Sequence, residues 1–284
     1  MRTVGELLAT ATKRLAAAGI ESAHQDAELL FTFALGVTRA ELVSSVAMQE
    51  AFDEAKLDAL EAVLLRREKR EPLQHITGLA PFRNLELKVG QGVFVPRPET
   101  EVVAQLAIEG LSAMASESPI AIDLGTGSGA IALSLATEVP HAKIFAVEVS
   151  EAALPFTRHN FAKYAPEATL IEGDFAELDG ELDGMVSVVV SNPPYIPVDA
   201  IPRDPEVRDF DPTLALFSGE DGFDAMRVIS SVSQRLLHPG GLLVLEHADN
   251  QAADLTKLLL AGGWRQVRSH TDLTGRDRAI TALK

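Results

Sequence analysis

Residues 120–129 have the sequence Ile-Ala-Ile-Asp-Leu-Gly-Thr-Gly-Ser-Gly, in which a short apolar strand pattern runs straight into a glycine-rich turn. An apolar helix pattern, Ala130 to Ala136, follows at once. Glycines in such a turn allow positive φ angles and a close approach of the backbone to a ligand, and the helix start offers unpaired N–H groups. The segment is predicted to be a nucleotide-binding turn, formed by Gly125, Thr126, Gly127, Ser128 and Gly129.

Two strand ends further along the chain fit an adenosine ligand. Glu148 follows the predicted strand Lys143–Val147, where a carboxylate can accept hydrogen bonds from both ribose hydroxyls. Asp174 and Phe175 follow the predicted strand Thr169–Ile171 and offer a carboxylate and a ring to adenine. All three are candidate cofactor-binding residues, and for the last two a plain turn and a core phenylalanine are the structural alternative.

The glycine-rich turn alone does not identify its ligand. It also satisfies the dinucleotide fingerprint if Ala130 fills the last position, so a nicotinamide oxidoreductase is one alternative. A strand-to-helix turn that binds no ligand is another.

From Pro98 onward, predicted strands and helices alternate, which indicates a parallel sheet covered by helices on both faces. Further strands are predicted at Met185–Ser191, Leu242–Leu245, Trp264–Ser269 and Arg278–Leu283. Burial on both faces explains continuous apolar runs such as residues 185–190. The expected fold is a Rossmann-like α/β domain, residues 98–284, with a seven-stranded and mostly parallel sheet.

Residues 1–76 are predicted to form a small helical bundle. Three helix starts carry a capping signal: Thr3 with Glu6, Ser22 with Gln25, and Thr38 with Glu41. Apolar residues at helical spacing, such as Leu29, Leu30 and Phe33, predict a stripe that faces a core. The bundle is either a structural cap on an enzyme or a docking module for a macromolecular substrate.

The segment between these two regions is predicted to be a β-hairpin linker, residues 77–97. Apolar alternation at Leu85, Leu87 and Val89 is separated by residues 90–92, Gly-Gln-Gly, from a second alternating stretch, and this pattern predicts a hairpin turn at the glycines. The charged run that precedes it, residues 66–71, is interpreted as a solvated helix face.

Composition limits the class of protein. The chain has 284 residues, a formal net charge of −16 and no cysteine, which excludes disulfides and thiolate metal sites. The negative charge disfavours binding to a phosphate backbone, since nucleic-acid binding usually uses a basic patch. The first twenty or so residues lack a continuous apolar run, so neither a signal peptide nor a membrane span is expected there. We therefore expect a cytoplasmic protein.

The residues with the clearest chemistry are Asn192, Pro193, Pro194 and Tyr195, which follow the apolar strand Met185–Ser191. The carboxyl end of a parallel strand opens onto the ligand crevice of an α/β sheet. Asn192 Oδ1 and the Pro193 carbonyl can accept the two N–H bonds of a planar amide or amine, which directs its lone pair at a sulfonium methyl group.

The same two oxygen dipoles would stabilise the positive charge that develops on the attacking nitrogen. The prolines fix φ and hold the acceptors rigidly, while Tyr195 offers a ring to the planar target. A Pro-Pro turn that merely ends a strand is the structural alternative. Together with the nucleotide-binding turn, this segment predicts an S-adenosylmethionine-dependent N-methyltransferase.

Several further motifs resemble the HemK/PrmC family, whose members methylate the glutamine amide of the Gly-Gly-Gln motif in peptide-chain release factors. The resemblance covers nearly the whole chain and is carried by residues 71–78 (Glu-Pro-Leu-Gln-His-Ile-Thr-Gly), 95–101 (Val-Pro-Arg-Pro-Glu-Thr-Glu), 239–241 (Pro-Gly-Gly), 245–246 (Leu-Glu) and 275–278 (Gly-Arg-Asp-Arg).

This resemblance implies a class I methyltransferase fold, with S-adenosylmethionine bound by the glycine-rich turn, Glu148, Phe175 and Asn192. It implies that residues 192–195 hold the substrate glutamine and that the helical bundle docks the release factor. S-adenosylhomocysteine is the expected product, and a monomer without metal, nucleic acid or membrane is expected. A ribosomal-protein glutamine or an exocyclic amine of a nucleic acid is the alternative substrate.

The departures from the family pattern are small. Glu148 stands where aspartate is usual, and Phe175 where tryptophan or leucine is common. His247 lies in a Leu-Glu-His-Ala sequence where Leu-Glu-Ile-Gly is common, and it has no metal-ligand partner at helical spacing. We therefore interpret His247 as a loop or packing residue.

Overall fold

The computed structural model describes residues 2–284. The α-helices within that range are α1 (Val4–Ala17), α2 (Ala23–Leu35), α3 (Arg39–Ala47), α4 (Leu57–Glu68), α5 (Leu73–Thr77), α6 (Thr100–Ser112), α7 (Ala130–Glu138), α8 (Leu154–Tyr164), α9 (Pro205–Phe210), α10 (Asp224–Leu236) and α11 (Ala252–Ala261). The strands are β1 (Leu79–Phe82), β2 (Leu85–Lys88), β3 (Ile120–Leu124), β4 (Lys143–Glu148), β5 (Thr169–Glu172), β6 (Val186–Ser191), β7 (Leu237–Glu246), β8 (Arg265–Thr271) and β9 (Asp277–Leu283).

The chain forms two compact units. The first contains the residues up to Leu79 together with Arg203–Phe210, and the second contains Ala80–Pro202 and Asp211–Lys284. Helices α1 to α5 and α9 therefore belong to the first unit, here called the helical unit. The second, here called the sheet unit, carries the large sheet and every candidate site residue named above.

The sheet unit contains a seven-stranded sheet in the order β5-β4-β3-β6-β7-β9-β8. Strands β3 to β7 pair in parallel, whereas β9 pairs antiparallel with both β7 and β8. The predicted seven-stranded, mostly parallel fold is thus confirmed. The first strand of this sheet, β3, lies between β4 and β6, so the strand order reverses at the β3–β6 pair.

Helices cover both faces of this sheet, as the apolar runs predict. Alternate residues of one strand enter two different cores: Val188 and Val190 pack with residues of α6 and α7, whereas Val189 packs with residues of α10 and α11. Each of these three valines is fully buried. Burial on both faces removes β6 from solvent along its whole length and leaves its carboxyl end as the point where polar groups can project.

The helical unit has its own core, built from α1, α2, α4 and neighbouring segments. Capping boxes at Thr3 with Glu6 and at Thr38 with Glu41 are present as predicted. The box predicted at Ser22 is wrong, because the Ser22 hydroxyl donates to Asp26 at 2.8 Å and makes no cap bond.

The apolar stripe predicted for α2 is partly wrong. Leu30 is fully buried as predicted, but Leu29 and Phe33 are 49% and 48% exposed, and Ala27 and Phe31 are buried beside Leu30 instead. An apolar helix offers more than one stripe at the same spacing, so the pattern alone did not decide between them. Within residues 2–284, no single helix is long and apolar enough to span a membrane. Helices α2 and α3 meet the criteria of length and composition only when taken together as a bent pair.

The charged run at residues 66–71 is not a uniformly solvated face. Arg67 is buried and bonds Asp26 at 2.7 Å and Glu206 at 2.8 Å, and all three residues belong to the helical unit. Arg70 bonds the other oxygen of Glu206 at 2.6 Å. A buried guanidinium is stable only when carboxylates of this kind pair with it.

A hairpin lies within residues 77–97, but it is not the predicted one. Strands β1 and β2 form a two-stranded sheet and are joined by residues 83–84, whereas Val93 and Val95 lie outside any strand. Residues 90–93 do form a turn, in which the Val93 N–H donates to the Gly90 carbonyl at 3.3 Å, but this turn does not join two strands. A Cβ at Gly90 would lie 2.8 Å from the Phe156 ring, which is closer than real side chains approach. The glycine therefore serves close packing, a function that the alternating pattern does not reveal.

Candidate active site

The two predicted motifs meet at the point where the strand order reverses. Asp123 of β3 is in register with Val190 of β6, so the strand ends that carry Gly125 and Asn192 are neighbours, about 5 Å apart as adjacent strands are. The Ser191 hydroxyl donates to the Leu124 carbonyl at 2.6 Å and ties the two ends together. Ligands of open α/β sheets bind at such a reversal point.

The glycine-rich turn has the backbone that the sequence predicts. Gly125 and Gly127 have φ values of 76° and 57°, and a Cβ on either would meet no atom within 4 Å. Open space beside two left-handed residues leaves the backbone accessible to a ligand. Gly129 also has positive φ, but there a Cβ would meet Phe161 at 2.9 Å, so this glycine is required by packing.

Glu148 is buried beside this turn. Its Oε2 accepts from the Gly127 N–H at 2.7 Å, and its Oε1 accepts from the Ser150 N–H at 2.7 Å. Each carboxylate oxygen can accept more than one hydrogen bond. The side chain is thus held in place by the backbone and keeps acceptor capacity for a hydroxyl-bearing ligand.

Asp123, inside β3, also organises the turn. Its Oδ2 accepts from the Thr126 hydroxyl at 2.6 Å and from the Ala132 N–H at 3.2 Å, so it caps the first turn of α7. The other oxygen, Oδ1, is buried and has no hydrogen-bond partner within residues 2–284. Burial raises the pKa of this carboxyl to about 7.

Helix α8 holds the turn from outside. The Thr157 hydroxyl donates to the Gly127 carbonyl at 2.6 Å, and the Asn160 amide donates to the Ser128 carbonyl at 2.9 Å. Both side chains are fully buried. These two bonds fix the backbone of the turn from the side of α8. The N–H groups of residues 125–127 and 129 are bonded inside the protein as well, so the turn offers a ligand open space beside its glycines rather than a row of free N–H groups.

Asp174 and Phe175 lie at the end of β5. Asp174 is exposed, and its Oδ1 accepts from the Ala176 N–H at 2.8 Å, which caps a short 3₁₀ helix. Phe175 is partly buried against the core under α10. These contacts account for both residues structurally, so their predicted contact with adenine stays a prediction.

The Asn192 amide is oriented by a residue that the sequence interpretation left aside. Its Nδ2 donates to the Thr100 hydroxyl oxygen, at the start of α6, at 3.3 Å. Neither Asn192 Oδ1 nor the Pro193 carbonyl receives a hydrogen bond from any other group in the described part of the chain. Two successive residues at the end of β6 thus each carry an oxygen acceptor that no group in the described residues uses.

Tyr195 is fixed at both its backbone and its hydroxyl. The Gln251 amide donates to the Tyr195 carbonyl at 2.9 Å, and Gln251 itself accepts from the Ala248 N–H at 3.0 Å. The Tyr195 hydroxyl donates to Glu246 Oε1 at 3.4 Å. Burial raises the pKa of this hydroxyl, so it stays protonated and remains a donor.

Sequence interpretation missed the supporting residues of the site, which are Thr100, Asp123, Thr157, Asn160, Glu246 and Gln251. Three of them could have been found, because Asp123 lies in the stretch that runs into the glycine-rich turn, and Thr100 and Glu246 lie inside motifs that carry the family resemblance. Thr157, Asn160 and Gln251 carry no local signal, since their role depends on which backbone group each one reaches in the folded chain.

His247 is fully buried at the end of β7, with Nδ1 2.8 Å from the Ala248 carbonyl. Burial lowers the pKa of its imidazole, which keeps it neutral and fits the predicted packing role. Among residues 2–284, no group of three or more His, Cys, Asp or Glu side chains is arranged to hold a metal ion.

Comparisons with known proteins match both parts of the chain. A family model described as PrmC N-terminal domain matches residues 6–78, and one described as Methyltransferase small domain matches residues 84–201. Two full-length relatives carry the name release factor glutamine methyltransferase. The one from Streptomyces coelicolor is 49% identical and the match covers 98% of this chain and 96% of the relative. The one from Bifidobacterium longum is 42% identical, with 99% of each chain covered.

A solved structure adds independent support for the fold. The crystal structure of a methyltransferase from Pyrococcus furiosus matches with a TM-score of 0.53 at 17% identity, over 79% of this chain and 97% of that chain. Identity at that level indicates a shared fold and leaves the substrate open.

Proposed function

This chain belongs to the release factor glutamine methyltransferase family, and on that premise we propose that residues 192–195 bind and activate the substrate glutamine. The chain transfers a methyl group to the side-chain amide nitrogen of the Gly-Gly-Gln glutamine in peptide-chain release factors. One observation carries this assignment: Asn192 Nδ2 is engaged by Thr100, which leaves Oδ1 as an acceptor without a hydrogen-bond partner in the described part of the chain.

The residues around the glycine-rich turn fit S-adenosylmethionine. Gly125 and Gly127 leave open space beside the backbone, and Glu148 is a buried carboxylate positioned to accept from ribose hydroxyls. When bound, S-adenosylmethionine supplies an electrophilic methyl group on a sulfonium. The unpartnered Asp123 Oδ1 adds a buried acceptor on the same strand end.

The two acceptors at the end of β6 explain how a poor nucleophile could react. An amide nitrogen shares its lone pair with its carbonyl, so two N–H bonds held by fixed oxygens are needed to aim that lone pair. Positive charge grows on the nitrogen during attack, and the Asn192 and Pro193 oxygen dipoles stabilise it without reorganising. This arrangement needs no strong base at the site.

The helical unit is proposed to bind the release factor. It matches the family's N-terminal domain over residues 6–78, and it has a separate core of its own. A domain of this kind can add binding energy from parts of the substrate remote from the glutamine.

Tritium transfer from labelled S-adenosylmethionine tests the substrate. Purified release factor, bulk ribosomal proteins and DNA are incubated in parallel with the full-length protein. We expect label in the release factor. Label found only in nucleic acid or only in ribosomal protein would contradict the proposed substrate.

Ligand-induced stabilisation tests the cofactor separately. A ligand that binds only the native state raises the melting temperature, so S-adenosylhomocysteine should raise it and NAD should not. Stabilisation by NAD alone would instead support the oxidoreductase alternative.

A further inference from the structure

Glu246 is a buried carboxyl that the account above does not use. It ends β7, next to β6 in the sheet, and it is 2% exposed. Its Oε1 accepts from the Tyr195 hydroxyl at 3.4 Å, whereas Oε2 is buried and has no hydrogen-bond partner within residues 2–284. The Thr100 hydroxyl lowers the pKa of this carboxyl as a hydrogen-bond donor does, which makes it the candidate donor to the unpartnered Oε2.

Thr100 therefore stands between Glu246 and Asn192. Asn192 Nδ2 donates to the Thr100 oxygen at 3.3 Å, so the hydroxyl proton of Thr100 must point in another direction. A carboxylate is the strongest acceptor available to that proton. The hydrogen bonds thus run in one direction: the Asn192 amide donates to Thr100, and the Thr100 hydroxyl donates to the Glu246 carboxylate.

The direction of these hydrogen bonds decides which end of the Asn192 amide faces the substrate. The two ends of an asparagine amide have nearly the same shape, so hydrogen-bond partners alone select between them. If Thr100 donated to Asn192 instead, the amide would turn over and Nδ2 would face the substrate nitrogen. A donor there would oppose the two N–H bonds of the glutamine amide.

We propose that Glu246 is a positioning residue that acts through Thr100 to hold the Asn192 amide with Oδ1 toward the substrate nitrogen. This inference rests on the proposed function, because it assigns Oδ1 as the acceptor for the glutamine amide. Glu246 also accepts from Tyr195, so one carboxyl holds both ends of the four-residue turn.

The arrangement depends on the charge of Glu246. Burial raises the pKa of this carboxyl to about 7, with Arg278 of β9 lowering it and Glu99 before α6 raising it; the Tyr195 hydroxyl also faces it and donates. Above that pKa the carboxylate accepts from Thr100. Below it the acid can donate to Thr100, which frees the threonine proton to turn toward Asn192. The turnover number therefore rises with pH through about 7.

The first test compares Glu246→Gln with the wild type at saturating S-adenosylmethionine and release factor. Glutamine keeps the shape and an acceptor for Tyr195 but replaces the other oxygen with a donor. We expect kcat to fall roughly 10- to 100-fold, as is common when a supporting partner of a reactive group is lost. We also expect the pH-dependent rise in kcat to disappear, with KM for S-adenosylmethionine little changed.

Threonine variants provide the matched comparison. Thr100→Val removes the hydroxyl at constant shape and should lower kcat to a similar extent, whereas Thr100→Ser should restore most of it. In the double variant, Glu246→Gln with Thr100→Val, the losses should not add, because both break one chain of hydrogen bonds.

The pKa of Asp123 is raised to about 7 as well, so the experiment must show which of the two carboxyls causes the pH dependence of kcat. A rise in kcat near pH 7 that survives in Glu246→Gln would assign it to another group and overturn the inference. Full activity of Glu246→Gln would overturn it too, while leaving the proposed function intact. Absence of methyl transfer by the wild type would instead contradict the proposed function.

An NMR measurement, which needs no turnover, tests the inference even if the wild type transfers no methyl group. The side-chain ¹⁵N signal of Asn192, assigned by its loss in an Asn192 variant, should titrate near pH 7 in the wild type and should not titrate in Glu246→Gln. A signal that is independent of pH in the wild type would contradict the proposed chain of hydrogen bonds from Asn192 through Thr100 to Glu246.

Discussion

At position 222 there is no room for a side chain. Gly222 has a φ of 80°, and a Cβ there would lie 2.4 Å from the Tyr195 carbonyl oxygen and 2.9 Å from the Gln251 amide. The backbone of the four-residue turn is therefore clamped between Gly222 on one side and the Gln251 hydrogen bond on the other. Any atom added at 222 must displace the carbonyl that follows the two prolines.

Gly222→Ala should consequently impair catalysis more than stability. Alanine in the left-handed region costs roughly 1–2 kcal/mol of unfolding free energy, and Gly240→Ala isolates that cost because its φ is 84° with no atom within 4 Å of the added Cβ. Gly222→Ala has the same backbone cost and adds the shift of the Tyr195 carbonyl. We expect Gly222→Ala alone to lower kcat, by about tenfold or more. Guanidinium unfolding and methyl-transfer rates measured on both variants decide this, and equal rates would contradict the clamp.

Residue types at strand ends could be predicted from the sequence because their position follows from the parallel sheet. Glu148 and Asn192 each follow an apolar run, and that order alone places them at the ligand side. Gln251 and Gly222 could not be predicted, because each acts on Tyr195 from a distant part of the chain. A hydrogen bond between residues 56 positions apart leaves no periodic pattern.

At the scale of elements, α8 supports the glycine-rich turn. Its fully buried Thr157 and Asn160 each bond a carbonyl of the turn, so the helix fixes the backbone of the turn. Asn160 also exchanges hydrogen bonds with the backbone of Lys88 at 2.8 and 3.0 Å, which joins the end of β2 to the same turn.

Thr157→Val should therefore weaken cofactor binding. The change leaves the Gly127 carbonyl without its partner at nearly constant volume, and an unsatisfied buried acceptor costs about 1–3 kcal/mol. Part of that cost should appear as a roughly tenfold weaker Kd for S-adenosylhomocysteine in calorimetry. Thr137→Val, which removes a 2.8 Å bond to Leu133 within α7, is the control and should bind as the wild type does. Equal affinities would argue against the role of α8.

Elements of the sheet unit were predicted well because burial on both faces produces unmistakable apolar runs. The hairpin was misplaced for a physical reason: residues 90–93 form a turn that leads into no strand, and Gly90 is also required by its contact with Phe156. A glycine has the same sequence signature whether it serves packing, an isolated turn or a hairpin. The exposed Leu29 and Phe33 show a similar limit for helices, because apolar spacing alone does not decide which of two neighbouring stripes is buried.

At the scale of the whole molecule, the helical unit combines segments from two distant parts of the chain. Arg67 bonds Asp26, 41 positions away, and Glu206, 139 positions away. Because residues 203–210 return to this unit shortly after the Asn-Pro-Pro-Tyr turn, the ion pairs hold a segment that the sequence pattern assigns to the other domain. Charge spacing alone could not reveal such partners.

Arg67→Met should destabilise the helical unit by about 3 kcal/mol or more, since it leaves Asp26 buried without its cation. Loss of the Glu206 bond should also speed proteolysis within residues 203–210. The neighbouring Arg66→Met is the control: that guanidinium is 44% exposed beside Glu71, so its loss should change the free energy of unfolding by at most about 1 kcal/mol. Equal effects of the two variants would refute a structural role for the buried network.

The central claim is that Asn192 orients a glutamine amide on a release factor. Tandem mass spectrometry of the Gly-Gly-Gln peptide, after incubation of release factor and S-adenosylmethionine with wild type or with Asn192→Ala, tests it directly. The account predicts one added methyl group on the glutamine side-chain amide with the wild type, formed roughly a hundredfold or more slowly with the variant. A methyl group on another residue, or an Asn192→Ala rate equal to that of the wild type, would contradict it.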